Sequence, residues 1–378
     1  MPARPSAPAP SPPLIGRTAL NRAFLARQLL LERHAMSALD AVGRLVGLQA
    51  QAPTPPYYGL WGRLVDFTPE QLSGPLGDRR AVRITLMRGT VHLVGAQDCR
   101  ALRPWVQPFL ERFAEDVHGR DLPGVDRAEL VAEARGALAE RPRTAAELGE
   151  LLRDRWPQSP AAALATVART LLPLVQIPPR GLWGRSGGTT YATAEDWLGG
   201  PLDSVPDPEA LVLRYLAAFG PATVKDIQTW SGVTRLRAVA ERLRPRLVAL
   251  RDEAGNELLD LPGAPRPGPD VPAPVRLLAP YDNAILAHAD RTRIISDAHR
   301  RAIATKNGVI PGTVLVGGFV RGAWRLAADR TGTTLEVRLF APVTRRERAG
   351  LAEEGERLLS FATHGSPGGA RALRVTDA

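Results

Sequence analysis

The sequence predicts a mainly α protein with β-hairpins, an α+β chain in which one helix-rich unit ending in a hairpin occurs three times ahead of a small C-terminal β-barrel-like domain. Three observations carry this reading. Runs with helical spacing of apolar residues recur, each set followed by two β-rich runs around a turn; a Pro/Gly-rich break covers Leu261 to Pro274; and short β-branched runs dominate beyond it.

The first unit opens with Leu20, Phe24 and Leu31 at helical spacing behind Thr18, a candidate cap. A second helix starts at the capping Ser37, runs apolar through Leu39, Val42, Leu45 and Val46, and is expected to stop near Gln49-Ala50-Gln51. Tyr57 to Val65 and Thr68 to Leu76 read as two short helices, the latter with Pro69 in its first turn, and AVRITLMRGTVHLV reads as a hairpin turning at Arg88-Gly89. The same grammar returns over ELVAEARGALAE, RTAAELGELL, AAALATVARTLLPLV and the strand-like VQIPP and TTYAT. In the third copy, from Asp207 to Leu261, a short second helix, the turn Ser231-Gly232 and an arginine-studded third helix give a helix-turn-helix followed by a hairpin at Gly255-Asn256. Three tandem winged helices are therefore expected, at 14–120, 121–206 and 207–262, after a leader at 1–13 expected to be disordered. A linker at 263–274 precedes the β-rich unit at 275–365, in which VRLLAP, ILAHADRTRII, GTVLVGGFVRGAWRL and TTLEVRLF are the expected strands and RRERAGLAEEGERLLSFA the closing helix; 366–378 is expected to be loose.

Composition narrows the function. The 378 residues carry a formal net charge of +10, and of 49 basic residues only Lys225 and Lys306 are lysines. Guanidinium forks suit phosphates and base edges, so a polyanionic partner is expected, although a coding bias toward arginine gives the same ratio. One cysteine, Cys99, excludes an internal disulfide and a multi-cysteine zinc site. Arginines and other polar residues interrupt every apolar run, so no membrane span is expected, and the proline-rich N-terminus lacks the apolar core of a secretory signal. A cytoplasmic, nucleoid-associated monomer is the expectation.

The familiar catalytic signatures are absent: no phosphate-binding Gly-rich loop, no HExxH, no nucleophile elbow. What remains is Gln49-Ala50-Gln51, two neutral carboxamides beside Tyr57, Tyr58 and Trp61, in GLQAQAPTPPYYGLWGRL. Taken alone, glutamines at a helix end are usually solvated.

Together with RITLMRGTVHLV and APYDNAILAHADRTRII, that segment resembles the winged-helix DNA glycosylase family of the AlkZ/YcaQ kind, from about Leu14 to the C-terminal helix. Members of the AlkZ type carry a Gln-apolar-Gln catalytic motif, whereas the YcaQ type has aspartate in the second place; Gln51 sides with the former. The resemblance implies a monofunctional DNA glycosylase acting on duplex DNA with alkylated purines such as N7-alkylguanine, and on interstrand crosslinks, with Gln49 and Gln51 catalytic and neither cofactor nor metal. The chemistry is consistent with this, because a cationic alkylated purine leaves without protonation, and two fixed amide dipoles suffice to orient a water and face an oxocarbenium-like sugar. Which glutamine does which is open. A lyase step needs an amine, and neither lysine belongs to the motif region. A non-catalytic winged-helix transcriptional regulator is the alternative.

DNA contacts are expected at Arg88 on the first hairpin turn, at Tyr57 and Trp61, and at His288, Arg291 and Arg293. For Arg88 an ordinary exposed arginine is the competing reading, and for 288–293 an internal network in which Asp290 holds Arg291 or Arg293. Asp282 reads as a turn aspartate, and His92 as structural.

Overall fold

Ser37 accepts a hydrogen bond on its hydroxyl from Asp40 N, and Thr144 and Thr223 each close a reciprocal capping box, so the helix starts of the repeated units are written in short polar side chains. The structure, a computed structural model, describes residues 11–305, 308–365 and 369–377. Residues 1–10 of the expected leader, Lys306, and residues 366–368 and 378 of the expected tail lie outside the described residues.

The elements are α1 (Arg17–Arg27), α2 (Ala38–Arg44), β1 (Leu48–Gln49), α3 (Pro55–Trp61), α4 (Glu70–Gly77), β2 (Ala81–Thr85), β3 (Val91–Gly95) and the long α5 (Ala96–His118). Next come α6 (Arg127–Glu140), β4 (Arg143–Thr144), α7 (Ala145–Arg155), α8 (Ala161–Leu171), β5 (Leu174–Gln176), β6 (Thr190–Thr193) and α9 (Ala194–Leu198). A third set is α10 (Pro208–Phe219), α11 (Val224–Ser231), α12 (Arg237–Leu243), β7 (Val248–Arg251) and β8 (Glu257–Asp260).

Each set follows one pairing rule. The second hairpin strand pairs with a short segment that joins two helices earlier in the same set: β3 with β1, between α2 and α3; β6 with β4, between α6 and α7; and Leu259 of β8 with Ala222, between α10 and α11. The first two hairpins also join through β2 and β5, giving a six-stranded sheet in the order β1-β3-β2-β5-β6-β4. Behind it α5 buries Cys99, Leu102, Val106 and Leu110, and its Arg103 donates to the carbonyls of Thr170, Leu171 and Leu172, where a cation complements the C-terminal end of α8.

Past the Pro/Gly stretch come β9 (Arg276–Leu278), α13 (Asn283–Leu286), α14 (Asp297–Ile303), β10 (Gly312–Val316), β11 (Phe319–Ala328), β12 (Gly332–Leu339), α15 (Arg345–Ala362) and β13 (Ala370–Thr376). Here the structure corrects three expectations. The sheet, ordered β13-β12-β11-β10-β9, is open rather than barrel-like: α15 lays Leu351, Leu358 and Phe361 across the apolar face a barrel would have to enclose, and β9 and β13 stay edges. ILAHADRTRII is not a strand, because Asp282 caps Ala284 N and starts α13. Residues 370–376 are not loose but add to the sheet parallel to β12, with Leu373 and Val375 opposite Leu335 and Val337. Among the described residues no helix is long and apolar enough to cross a membrane.

The N-terminal helix is held from far along the chain. Asn21 donates to the carbonyls of Arg293 and Gly318, Arg27 forms a bidentate pair with Asp260 at 2.6 and 2.8 Å, and Gln28 donates to Ala218 O.

Candidate active site

The motif sits on a strand, not at a helix end. Val46 and Gly47 take left-handed backbone, φ 53° and 89°, which ends α2 and sends the chain into β1; a side chain at 47 would stand 2.7 Å from Val94 Cγ1, so glycine is required there. Gln49 pairs with His92, and Ala50 N donates to Val91 O at 2.7 Å. Gln51 leaves the ladder, yet its Oε1 accepts from Val91 N at 3.2 Å, so both backbone groups of Val91 are engaged by the motif. Gln49 is 8% exposed, whereas Gln51 is open to solvent.

Arg88 closes the site from the turn between β2 and β3. With φ 57° at Arg88 and 69° at Gly89, that turn folds the side chain inward. Nη1 donates to Trp230 O at 2.9 Å, and Nη2 to Gln49 Oε1 at 2.9 Å and Asn283 Oδ1 at 3.1 Å. Asn283 Nδ2 in turn donates to Gly47 O at 3.1 Å. One guanidinium thus ties the motif strand to α11 and to the start of α13. Burial, then the neighbouring Arg291, pulls its pKa down to about 10, which leaves it charged at neutral pH.

These contacts fix the carboxamides. An N–H donor meets each Oε1, so each Nε2 points away from that donor, and each oxygen keeps a second lone pair for another partner. His92 is fully buried and its pKa falls to about 3, by burial first and Arg88 second. Its Nδ1–H donates to Thr90 O at 3.0 Å, which leaves Nε2 as a bare, buried acceptor with no partner. Among the described residues no carboxylate hydrogen-bonds to Gln49, Gln51, Arg88 or His92, and no cluster of His, Cys, Asp and Glu stands ready to hold a metal. The chemistry on offer is neutral amide dipoles beside one fixed cation.

The expected DNA contacts divide. Arg291 is half-buried, its Nε donating to His288 O at 3.3 Å, and stands near Arg88. Four others lie in the core. His288 meets Phe24 edge-on at 5.1 Å and is bonded to Phe219 O, while Arg293 donates to Pro221 O at 2.6 Å and faces Asp226 at 3.8 Å. Trp61 stacks on Phe361, with Arg33 4.9 Å over its ring. Tyr57, 1% exposed, donates to Gly181 O at 2.8 Å. Duplex DNA reaches none of these four unless the packing opens. Arg88 itself spends its guanidinium inside rather than at a hairpin tip, and Asp290 bonds Thr292, not Arg291 or Arg293. Asp282 forms a buried bidentate pair with Arg63 at 2.8 and 2.9 Å. Sequence reading passes over Asn283, although it lies inside APYDNAIL.

The family match supplies the class, a DNA glycosylase. Residues 42–361 match the family described as DNA glycosylase AlkZ-like, and the chain belongs to that family of DNA glycosylases. It is 26% identical over 330 residues, 79% of its length and 85% of the relative's, to an interstrand DNA cross-link repair glycosylase of Streptomyces sahachiroi. Its fold is similar to the solved structure of Streptomyces sahachiroi DNA glycosylase AlkZ, with a TM-score of 0.74 at 22% identity, covering 96% of this chain and 99% of that one. The alternative of a non-catalytic regulator finds no support in a family of glycosylases.

Proposed function

We propose that this glycosylase is monofunctional and hydrolyses the N-glycosidic bond of cationic alkylated purines in duplex DNA, N7-alkylguanine first among them, and that crosslinked guanines fall within its range. The observation that carries this reading is the pair of positioned, neutral carboxamides to which, among the described residues, no carboxylate hydrogen-bonds. A purine that already bears positive charge needs no general acid, so the site has only to place a water and stabilise an electron-poor sugar. Gln51, solvent-reached, accepts a hydrogen bond from the water on its free lone pair; Gln49, pinned by Arg88, is the fixed dipole. The relative's name as a cross-link repair glycosylase supports the crosslink part.

In the same reading 14–120, 121–206 and 207–262 are three winged-helix units, supported by the threefold pairing rule, with 275–365 a fourth, β-rich unit. The protein works as a monomer. Lys225, exposed on α11, belongs to no part of the motif, which supports base excision without strand cleavage.

The test is release of 7-methylguanine from duplex DNA by wild type, Gln49→Ala, Gln51→Ala and the double variant, with duplex affinity measured alongside. Wild type is expected to release base and leave uncut abasic sites, and the variants to bind without excising. No release, with sequence-selective binding to undamaged DNA, overturns the reading.

A further inference from the structure

The loop joining β5 to β6, residues 177–189, reads IPPRGLWGRSGGT: two arginines and no acidic residue. Its outer half, 184–188, is exposed, while its base is built in. Trp183 N donates to Ser73 Oγ at 3.1 Å, and Tyr57 Oη, 2.9 Å from Ser73 Oγ, donates to Gly181 O at 2.8 Å. The tyrosine has one proton and spends it on Gly181, so the chain of donors runs from Trp183 through Ser73 and Tyr57 back to the loop. The Trp183 ring packs 5.1 Å from Tyr57 and 5.2 Å from Phe361.

Directly beneath lies Arg83 of β2, itself 1% exposed. Gly181 has φ 100°, and a side chain there would stand 2.9 Å from Arg83 Cδ, so the loop backbone rests on the arginine. Arg83 Nη2 donates to Ala50 O at 2.8 Å, between the two glutamines. Its Nε and Nη1 are buried without partners, as is Arg180 Nε. Gln176, opposite Arg83 across the ladder, offers a neutral Oε1 that is also unpartnered, and among the described residues no carboxylate bonds to either guanidinium. Burial, then Arg180, lowers the Arg83 pKa to about 10. Two like charges, one sealed in the core, therefore share the base of a cationic loop one residue from Gln51. A neutral amide can satisfy a donor but cannot offset charge; an anion at the loop does.

We propose that the 177–189 loop is a phosphodiester-binding site that grips the DNA backbone beside the motif strand, with Arg180 and Arg185 each on one of two neighbouring phosphates and Arg83 as the charge beneath. The proposal rests on the reading of the chain as DNA-binding but not on base excision. A phosphate there relieves the repulsion of Arg83 and Arg180 and sets the strand against Gln51 through the Arg83–Ala50 contact.

The experiment measures affinity for an undamaged duplex across a sodium chloride series, so that a failed excision assay leaves it interpretable. Arg180→Gln/Arg185→Gln is compared with wild type and with Arg345→Gln/Arg346→Gln, an equal loss of charge on the exposed first turn of α15. The loop double variant is expected to flatten the log–log salt dependence by about 2, about one for each phosphate no longer neutralised, and the α15 double variant to leave it unchanged. Arg185→Gln alone, exposed and free of packing, is expected to flatten it by about one and to keep the wild-type melting temperature. An unchanged slope in the loop variants, or an equal flattening in both doubles, overturns the proposal.

Discussion

Arg88 Nη2 donates to Gln49 Oε1 at 2.9 Å, so the buried member of the glutamine pair is held by a guanidinium rather than by solvent. The same nitrogen holds Asn283, which holds Gly47 O. The motif strand is thereby fixed at its entry and at its first carboxamide.

Arg88→Lys keeps a charge but cannot reach three acceptors in one plane. Its excision rate constant is expected to fall about 10- to 100-fold, the scale of a misplaced catalytic group, while duplex affinity changes little. Single-turnover kinetics beside a binding isotherm separate the two. A loss confined to affinity would instead make Arg88 a DNA contact.

His92 supplies a pH signature. Burial holds its pKa at about 3, against 6.5 for the exposed ring. Between those values the unfolded chain takes up a proton that the folded chain refuses, so stability falls as pH drops below 6.5, by up to ~1.4 kcal/mol per pH unit. His288, whose pKa is also lowered by burial and then by Arg293, acts in the same direction. His92→Gln is expected to flatten the acid limb of a denaturant-midpoint profile by one histidine's share. A parallel profile would show that the ring is not held neutral.

Arg63 and Asp282 form a bidentate pair, both buried. Asp282→Ala strands the guanidinium and is expected to cost about 3–5 kcal/mol in denaturant unfolding, whereas Arg63→Met/Asp282→Leu together recover most of that. The cycle of Arg63→Met, Asp282→Leu and their double variant reads the coupling directly. Additive losses would mean that the pair contributes nothing beyond its two residues.

What the sequence disclosed was local. Caps such as Ser37, the apolar spacing of α10 and the turn at Gly232 announce their elements because each depends on neighbours a few residues away. The motif was legible as a pair of residues, but its placement on β1 was not, since a two-residue strand shows no period and the left-handed Val46 has no compositional mark. The Arg88–Asn283 hydrogen bond spans 195 positions, and nothing local announces it. Arginine was misleading for a related reason. Charge pattern suggested a surface for phosphate, yet Arg27, Arg63, Arg83, Arg103 and Arg293 are interior struts, each finding carbonyls or a carboxylate that only the folded chain brings near. Whether a sheet closes is likewise not a local property: alternation shows that residues form strands, not whether their sheet closes.

Helix α1 bears on how the molecule is made. Gln28 finds Ala218 190 positions later, and Asn21 finds Gly318 297 positions later. At about 5–20 residues per second, a growing chain carries that helix for roughly 10–60 s before its anchors leave the ribosome. Through that interval the Asn21 and Gln28 carboxamide nitrogens and the Arg27 guanidinium lack the distant carbonyls and carboxylate that they bond in the folded chain. A fragment that ends at residue 120 lacks these anchors and is expected to behave as a client of chaperones rather than as an autonomous domain.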